Sequence, residues 1–136
     1  MTEPSFADSN IWLYAFIVGQ DARKEKVAAN LNRTKQVAVS TQVINEVCVN
    51  VIRKQKLNET EVKKLIRSFY GKYQVVNLDK DILLKASDLR ARYPFSFWDG
   101  LIVASALSAN TEILYSEDMQ NDLQVENKLK IVNPFL

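Results

Sequence analysis

Four acidic residues hold the positions in this sequence that are best suited to chemistry. Asp8 and Asp118 follow short apolar stretches, whereas Glu46 and Asp99 lie within apolar ones. A carboxylate in apolar surroundings costs several kcal/mol unless a lysine, an arginine or a metal ion compensates it. Oxygen-only ligand sets suit Mg²⁺ or Mn²⁺ better than zinc. If the fold brings these acids together, they form a candidate site for a divalent cation.

The composition excludes several classes of mechanism and site. The chain has 136 residues, no histidine, one cysteine and a formal net charge of +2. Mechanisms that use histidine are therefore excluded, as are an intramolecular disulfide and a cysteine-based zinc site. Length and composition predict a single domain over residues 1–136, and the absence of a signal-peptide pattern or a long apolar run predicts a cytoplasmic protein with no membrane span.

Short apolar strands alternate with helices along the chain. The pattern predicts strands at 6–7, 37–39, 73–78, 113–115 and 130–132, with helices over 22–31, 41–54, 82–92, 97–107 and after Asn58. Residues 11–16 are either a helix or a continued buried segment. This alternation predicts a three-layer α/β/α sandwich with a short, mainly parallel central sheet. Ligands of such sheets gather at the carboxyl ends of the strands, where Asp8 and Asp118 are expected.

Each acid also has an ordinary structural explanation. Asp8 can cap the helix that follows it, and Asp118 can be a turn residue. Asp99 stands three residues after Ser96, which is the spacing of a capping box. Glu46 lies beyond any capping position, so its alternative is a salt bridge to a nearby lysine or arginine.

Five short segments, taken in order, carry a family resemblance. They are residues 6–10 (FADSN), 45–47 (NEV), 95–104 (FSFWDGLIVA), 116–120 (SEDMQ) and 132–135 (VNPF). Together they resemble a PIN domain, and in particular the VapC-type toxins of bacterial toxin-antitoxin pairs. The resemblance covers essentially the whole chain.

The resemblance implies a metal-dependent endoribonuclease whose acids are Asp8, Glu46, Asp99 and Asp118. It implies that Asp8 and Asp99 bind Mg²⁺ or Mn²⁺, that Glu46 adds a ligand or orients water, and that Asp118 completes the pocket. Cleavage through a metal-activated water would leave a 5′ phosphate and a 3′ hydroxyl. Glu117 competes with Asp118 for the fourth role.

Three further positions follow from the same comparison. Asn10 and Ser116 match small polar positions that support the site. Gly100 departs from the family, which often has alanine there, and is expected to loosen the helix beside Asp99 slightly.

The resemblance also implies partners, namely an RNA substrate, a cognate antitoxin protein and a second copy of the chain in a homodimer. Candidate contacts to the RNA backbone are Arg53, Lys54, Lys56 and Arg92. The aromatic side chains of Trp12, Tyr14 and Trp98 can stack on bases, although core packing is the first expectation for each. The alternative function is a non-catalytic PIN-fold module for protein interaction or scaffolding. A phosphoacceptor domain fits less well, because Asp8 lacks an adjacent acid.

Overall fold

The computed structural model of the protein describes residues 3–34 and 36–136. Residues 1, 2 and 35 of the predicted domain lie outside this description. The strands are β1 (Ser5–Ala7), β2 (Val37–Ser40), β3 (Gln74–Val76), β4 (Ile113–Tyr115), β5 (Gln124–Val125) and β6 (Leu129–Val132). The helices are α1 (Ser9–Phe16), α2 (Ala22–Thr34), α3 (Thr41–Gln55), α4 (Glu59–Lys72), α5 (Lys80–Arg92) and α6 (Phe97–Ser108).

The strands form one sheet in the order β3-β2-β1-β4-β6-β5. All neighbouring strands are parallel except β5, which pairs antiparallel with β6 at the edge. Every residue of β1 and β2 is buried, as expected for a parallel sheet that is covered on both faces. The predicted three-layer α/β/α sandwich is therefore confirmed.

Local capping explains where several helices begin. Asp8, Ser40, Asn58, Asp79 and Ser96 each accept a hydrogen bond from a backbone N–H of the first helical turn. These bonds satisfy donors that have no partner within the helix. Because Asp8 directly follows β1 and Ser40 is the last residue of β2, each of these strands passes into a helix without an intervening loop.

The structure decides one alternative that the sequence left open, and it shortens one predicted strand. Residues 11–16 belong to helix α1, which already begins at Ser9, and its Trp12 is fully buried and donates from Nε1 to the carbonyl oxygen of Ala7 at 3.0 Å. The strand predicted over 73–78 is only three residues long, Gln74–Val76. No helix in the described parts of the chain is long and apolar enough to cross a membrane.

Candidate active site

The candidate site lies at the carboxyl edge of the sheet, between β1 and β4. Strand β1 lies inside the sheet. The next strand along the chain, β2, pairs with one side of β1, and the later strand β4 pairs with its other side, so the strand order reverses at β1. Parallel sheets bind ligands at such a reversal of strand order, because the helices that follow the two strands diverge there and leave a crevice. Asp8 ends β1 and Ser116 ends β4, and the Asp8 backbone N–H donates to the carbonyl oxygen of Tyr115 at 3.0 Å.

Asp8 is the buried acid of the site, with 6% of its surface exposed. Its Oδ1 accepts from the backbone N–H of Ser9 at 2.7 Å, and its Oδ2 accepts from the Ser116 hydroxyl at 3.0 Å. These bonds favour the carboxylate, but burial outweighs them and raises the pKa of Asp8 to about 6, with the charges of Glu46 and Asp99 adding to the rise. Asp8 therefore caps α1 and also carries an incompletely compensated charge.

Glu46 reaches the same region from the second turn of α3. Its neighbours Val43, Ile44 and Val47 face the core, whereas Glu46 lies on the exposed side of the helix. The expectation of apolar surroundings was therefore wrong at the side chain itself. Partial burial still raises the pKa of Glu46, hydrogen bonds from Gln42 and Ser9 oppose the rise, and the charge of Asp99 adds to it.

Asp99 lies in the first turn of α6, where the capping box expected from its spacing is only half formed. The Ser96 hydroxyl accepts from the Asp99 backbone N–H at 3.1 Å, as in a capping box. Among the described residues, the return bond from the Ser96 backbone to the Asp99 carboxylate is not formed. Since helix capping does not use this carboxylate, it is available to the site, where its charge acts on both Asp8 and Glu46.

Asp118 is joined to the site through Asn10 and Ser116. Asn10 Nδ2 donates to Asp118 Oδ2 at 3.1 Å, and the Asp118 backbone N–H donates to the Ser116 hydroxyl at 3.3 Å. The Asn10 Oδ1 accepts from the Glu117 backbone N–H at 3.3 Å, so one amide fixes both residues of this turn. Asn10 therefore holds the Asp118 carboxylate, and Ser116 connects the Asp118 backbone to the Asp8 carboxylate.

Glu117 is engaged elsewhere. Its carboxylate forms an ion pair with Lys24 of α2 and accepts from the Tyr14 hydroxyl at 3.0 Å. The Lys24 ammonium also lies 5.3 Å from the centre of the Tyr14 ring. This set of contacts holds Glu117 toward α2, so Asp118 is the better candidate for the fourth acid.

Basic side chains in the described part of the chain do not neutralise the charges of the site. Within residues 3–34 and 36–136, no lysine or arginine forms an ion pair with Asp8, Glu46, Asp99 or Asp118. The salt bridge offered as an alternative role for Glu46 is therefore not formed in this part of the chain. A cation supplied from solution would offset the burial of the Asp8 carboxylate, which raises its pKa, and the smaller contribution from the charges of Glu46 and Asp99.

The oxygen atoms of the site suit a hard divalent cation, which would bind through only a few protein groups. The available groups are carboxylate, hydroxyl and amide oxygens, which suit Mg²⁺ and Mn²⁺. In the described ranges, no group of three or more acidic or cysteine side chains is arranged to hold a metal ion as it stands. Mg²⁺ commonly binds through one or two carboxylates and keeps several water ligands, so two of the acids suffice for a first contact.

Gly100 has a packing role that the sequence does not reveal. A Cβ at this position would lie 2.7 Å from Cγ of Arg90, too close for the side chain of α5 to stay where it is. The Arg90 side chain occupies the space beside Gly100. Its Nη1 donates to the Phe97 carbonyl oxygen at 3.2 Å, and its guanidinium lies 4.2 Å from the centre of the Phe97 ring. Instead of only loosening the helix, Gly100 allows Arg90 to brace the turn that carries Asp99.

The predicted basic contacts do not surround the acids. Arg92 is ion-paired with Asp88 and Glu126. Arg53 and Lys54 occupy the last turn of α3, about 10 Å farther along the helix axis than Glu46 at 1.5 Å per residue. Lys56 follows that turn as the helix C-cap. A direct role for these residues at the site remains a prediction.

The aromatic residues behave differently from one another. Trp12 is in the core, as expected, and Tyr14 packs edge-on against Phe135 with ring centres 5.1 Å apart. Trp98 is 61% exposed, so the expectation that it packs in the core was wrong. It directly precedes Asp99 and presents its indole beside the acids.

Comparison with known families assigns the fold. The family model of the PIN domain matches residues 5–124. The chain belongs to the PIN-domain family. No curated protein sequence matches the chain significantly.

Solved structures with this PIN fold include toxins of toxin-antitoxin systems. The chain is similar to VapC20 of Mycobacterium tuberculosis, a sarcin-ricin loop cleaving toxin, with 21% identity, a TM-score of 0.66 and coverage of 84% of this chain and 89% of that one. It is similar to a toxin-antitoxin complex from Klebsiella pneumoniae, with 20% identity, a TM-score of 0.69 and coverage of 96% and 97%. VapBC2 from Rickettsia felis, bound to a DNA fragment from its promoter, has 17% identity, a TM-score of 0.64 and coverage of 93% and 96%.

Proposed function

We propose that this PIN domain is a Mg²⁺- or Mn²⁺-dependent endoribonuclease, with residues 1–136 forming a single nuclease domain. The observation that carries the proposal is the approach of Asp8, Glu46 and Asp99 at the crevice between β1 and β4, where burial raises the pKa values of Asp8 and Glu46 and the charge of Asp99 adds to both rises. In the described residues none of them has a basic partner. A scaffold module would gain nothing from keeping such repulsion.

Each acid has a role that follows from its position. Asp8 and Asp99 would hold the cation, because Asp8 is fixed by two hydrogen bonds and the Asp99 carboxylate is not used in capping. Glu46, on the exposed side of α3, would add a ligand or orient a water molecule. Asp118 would complete the pocket, held in place by Asn10.

A bound divalent cation supplies a water of lowered pKa and stabilises the negative charge that develops on the phosphate. The chain's own contribution is to orient the groups around it. Ser9 and Ser116 hold the Asp8 carboxylate in one orientation, and Gln42 donates to Glu46 Oε1 at 3.2 Å. Since the chain has no histidine, acid-base catalysis of the histidine type is not available to it.

The biological role that fits best is the toxin of a toxin-antitoxin pair, acting on RNA in the cytoplasm. Support comes from the solved toxin-antitoxin complexes that share this fold over more than nine-tenths of the chain. Accordingly, we propose an antitoxin protein that covers the acidic crevice, and a homodimer as the assembled form. Ribosomal RNA belongs among the substrates tested, because VapC20 is a sarcin-ricin loop cleaving toxin.

The test is cleavage of pooled cellular RNA by the wild type and by Asp8→Asn, each with Mg²⁺, with Mn²⁺ and with EDTA. Asp122→Asn is the matched control, because Asp122 is an exposed aspartate whose positive φ of 69° an asparagine tolerates well. We expect discrete fragments with 5′ phosphate ends from the wild type and Asp122→Asn, lost in EDTA and in Asp8→Asn. Cleavage by Asp8→Asn at the wild-type rate would refute the assignment. Absence of both cleavage and metal binding in the wild type would favour the scaffold module.

A further inference from the structure

A pocket of about 440 Å³ opens beside the acids and shares Glu46 with them. Its lining comes from the first turns of α3, the segment between β3 and α5, and the start of α6: Thr41, Gln42, Asn45, Glu46, Leu78 and Trp98. The volume is in the range of small-molecule sites, roughly 300–1,000 Å³. The pocket therefore adjoins the acidic crevice at Glu46, and a ligand that fills the pocket lies next to the place where a phosphate would be cut.

Trp98 provides an aromatic wall to this pocket. It is 61% exposed although its neighbours along α6, from Gly100 to Ala106, are buried. The preceding ring of Phe97 meets it edge-on, with centres 5.2 Å apart, and Phe97 is itself braced by Arg90. The indole is therefore supported from behind while its remaining surface is open to solvent. An exposed, supported aromatic face is well suited to stack on a flat ring.

The polar groups of the pocket favour a neutral ligand that donates hydrogen bonds. Gln42 Nε2 donates to Glu46 Oε1 at 3.2 Å, which holds the Glu46 carboxylate at the pocket. The one ionisable lining residue is Glu46, and none of the lining residues is a lysine or an arginine. A phosphate or an acidic peptide segment would be repelled here, whereas the N–H groups of a nucleobase edge match the acceptor Glu46.

We propose that this pocket binds one unpaired nucleobase of the RNA, stacked on Trp98, next to the phosphate that is cut. The proposal deepens the proposed function and rests on it for the position of the cut. The base must leave its stack to enter, so cleavage is confined to single-stranded segments and loops. The side chain of a partner protein is the competing occupant, but the position of the pocket beside the acids, at Glu46, favours the substrate.

The experiment measures binding and cleavage separately. The chain has two tryptophans, and Trp12 is fully buried, so quenching of fluorescence by RNA reports on Trp98. Titration of single-stranded and duplex oligonucleotides into Asp8→Asn gives binding without cutting. Cleavage of an RNA that the wild type cuts is then compared for Trp98→Ala, Trp98→Phe and the control Tyr70→Ala, which removes another exposed aromatic ring on α4. Each nucleotide flanking the cut is also replaced by an abasic one.

We expect single-stranded RNA, and not duplex, to quench the fluorescence. Trp98→Ala should lower kcat/KM by about 5- to 150-fold, the effect of losing one base-aromatic stack. Trp98→Phe, which keeps a smaller ring, should fall between Trp98→Ala and the wild type, and Tyr70→Ala should stay near the wild type. At one of the flanking positions, the abasic nucleotide should lower kcat/KM of the wild type by a similar factor. The same nucleotide should lower kcat/KM of Trp98→Ala little further, because that variant has already lost the stack. If Trp98→Ala cleaves the RNA with the kcat/KM of the wild type, the proposal is overturned, and a protein side chain becomes the better candidate for the occupant of the pocket. If the wild type cuts no RNA, the proposed function fails, and quenching still decides whether the pocket takes a base.

Discussion

Asp8→Asn should stabilise the metal-free protein at neutral and alkaline pH. The rise of the Asp8 pKa from 3.8 to about 6 corresponds to about 3 kcal/mol at 1.36 kcal/mol per pKa unit. Because the folded protein holds the proton more tightly than the unfolded chain, this contribution to stability is fully present below pH 3.8 and is lost as the pH rises through 6. At pH 8 the wild type must therefore fold with an unfavourable buried charge that asparagine lacks.

The measurement is urea denaturation in EDTA at pH 8 and near pH 4.5. At pH 8 we expect Asp8→Asn to exceed the wild type by about 2–3 kcal/mol, since asparagine keeps an oxygen to accept from Ser9. Near pH 4.5 the two free energies of unfolding should agree within about 1 kcal/mol. Asp118→Asn is the control, because the same change at an exposed carboxylate should alter stability little at either pH. A destabilised Asp8→Asn, or a gain that does not depend on pH, would refute the assignment of a strained buried charge.

Metal binding should offset the advantage of Asp8→Asn, because the variant lacks a proposed ligand. With Mn²⁺ at pH 8 the wild type should show a higher Tm, because a ligand that binds only the folded state stabilises it. Asp8→Asn should lose that rise although it is the more stable protein in EDTA. An equal rise in both proteins would exclude Asp8 as a ligand.

Two further predictions concern the neighbourhood of the site. Gly100→Ala should destabilise the protein by about 1–2 kcal/mol through overpacking against Arg90, and this cost should disappear in Arg90→Ala, as a double-mutant cycle in urea would measure. Gly71→Ala is the control, since its helix position is open and the change should stabilise by about 0.5 kcal/mol; an equal gain at Gly100 would contradict the packing argument. In cleavage assays, Glu117→Gln should stay within severalfold of the wild type while Asp118→Asn loses about tenfold or more, and the reverse order would exchange their roles.

Much of the fold could be predicted because its signals are local. Strands such as Val37–Ser40 and Ile113–Tyr115 are short apolar stretches, and helix α3, which follows the first of them, begins after Ser40, a side chain able to cap it. The two-residue strand β5 has no such signal, since its pairing with β6 depends on a turn and not on periodicity. The position of Asp8 at a strand end was predictable for the same local reason.

The sequence by itself determined the class of fold, the types and order of the acids and the absence of histidine, because these depend on residue identity and short-range pattern. The tertiary structure decided which groups meet. Lys24 draws Glu117 away from the site across 93 positions of sequence, Gly100 makes room for Arg90, and Trp98 stays exposed beside Glu46. Such contacts join elements that are distant along the chain, so side-chain packing, and not any local pattern, determines them.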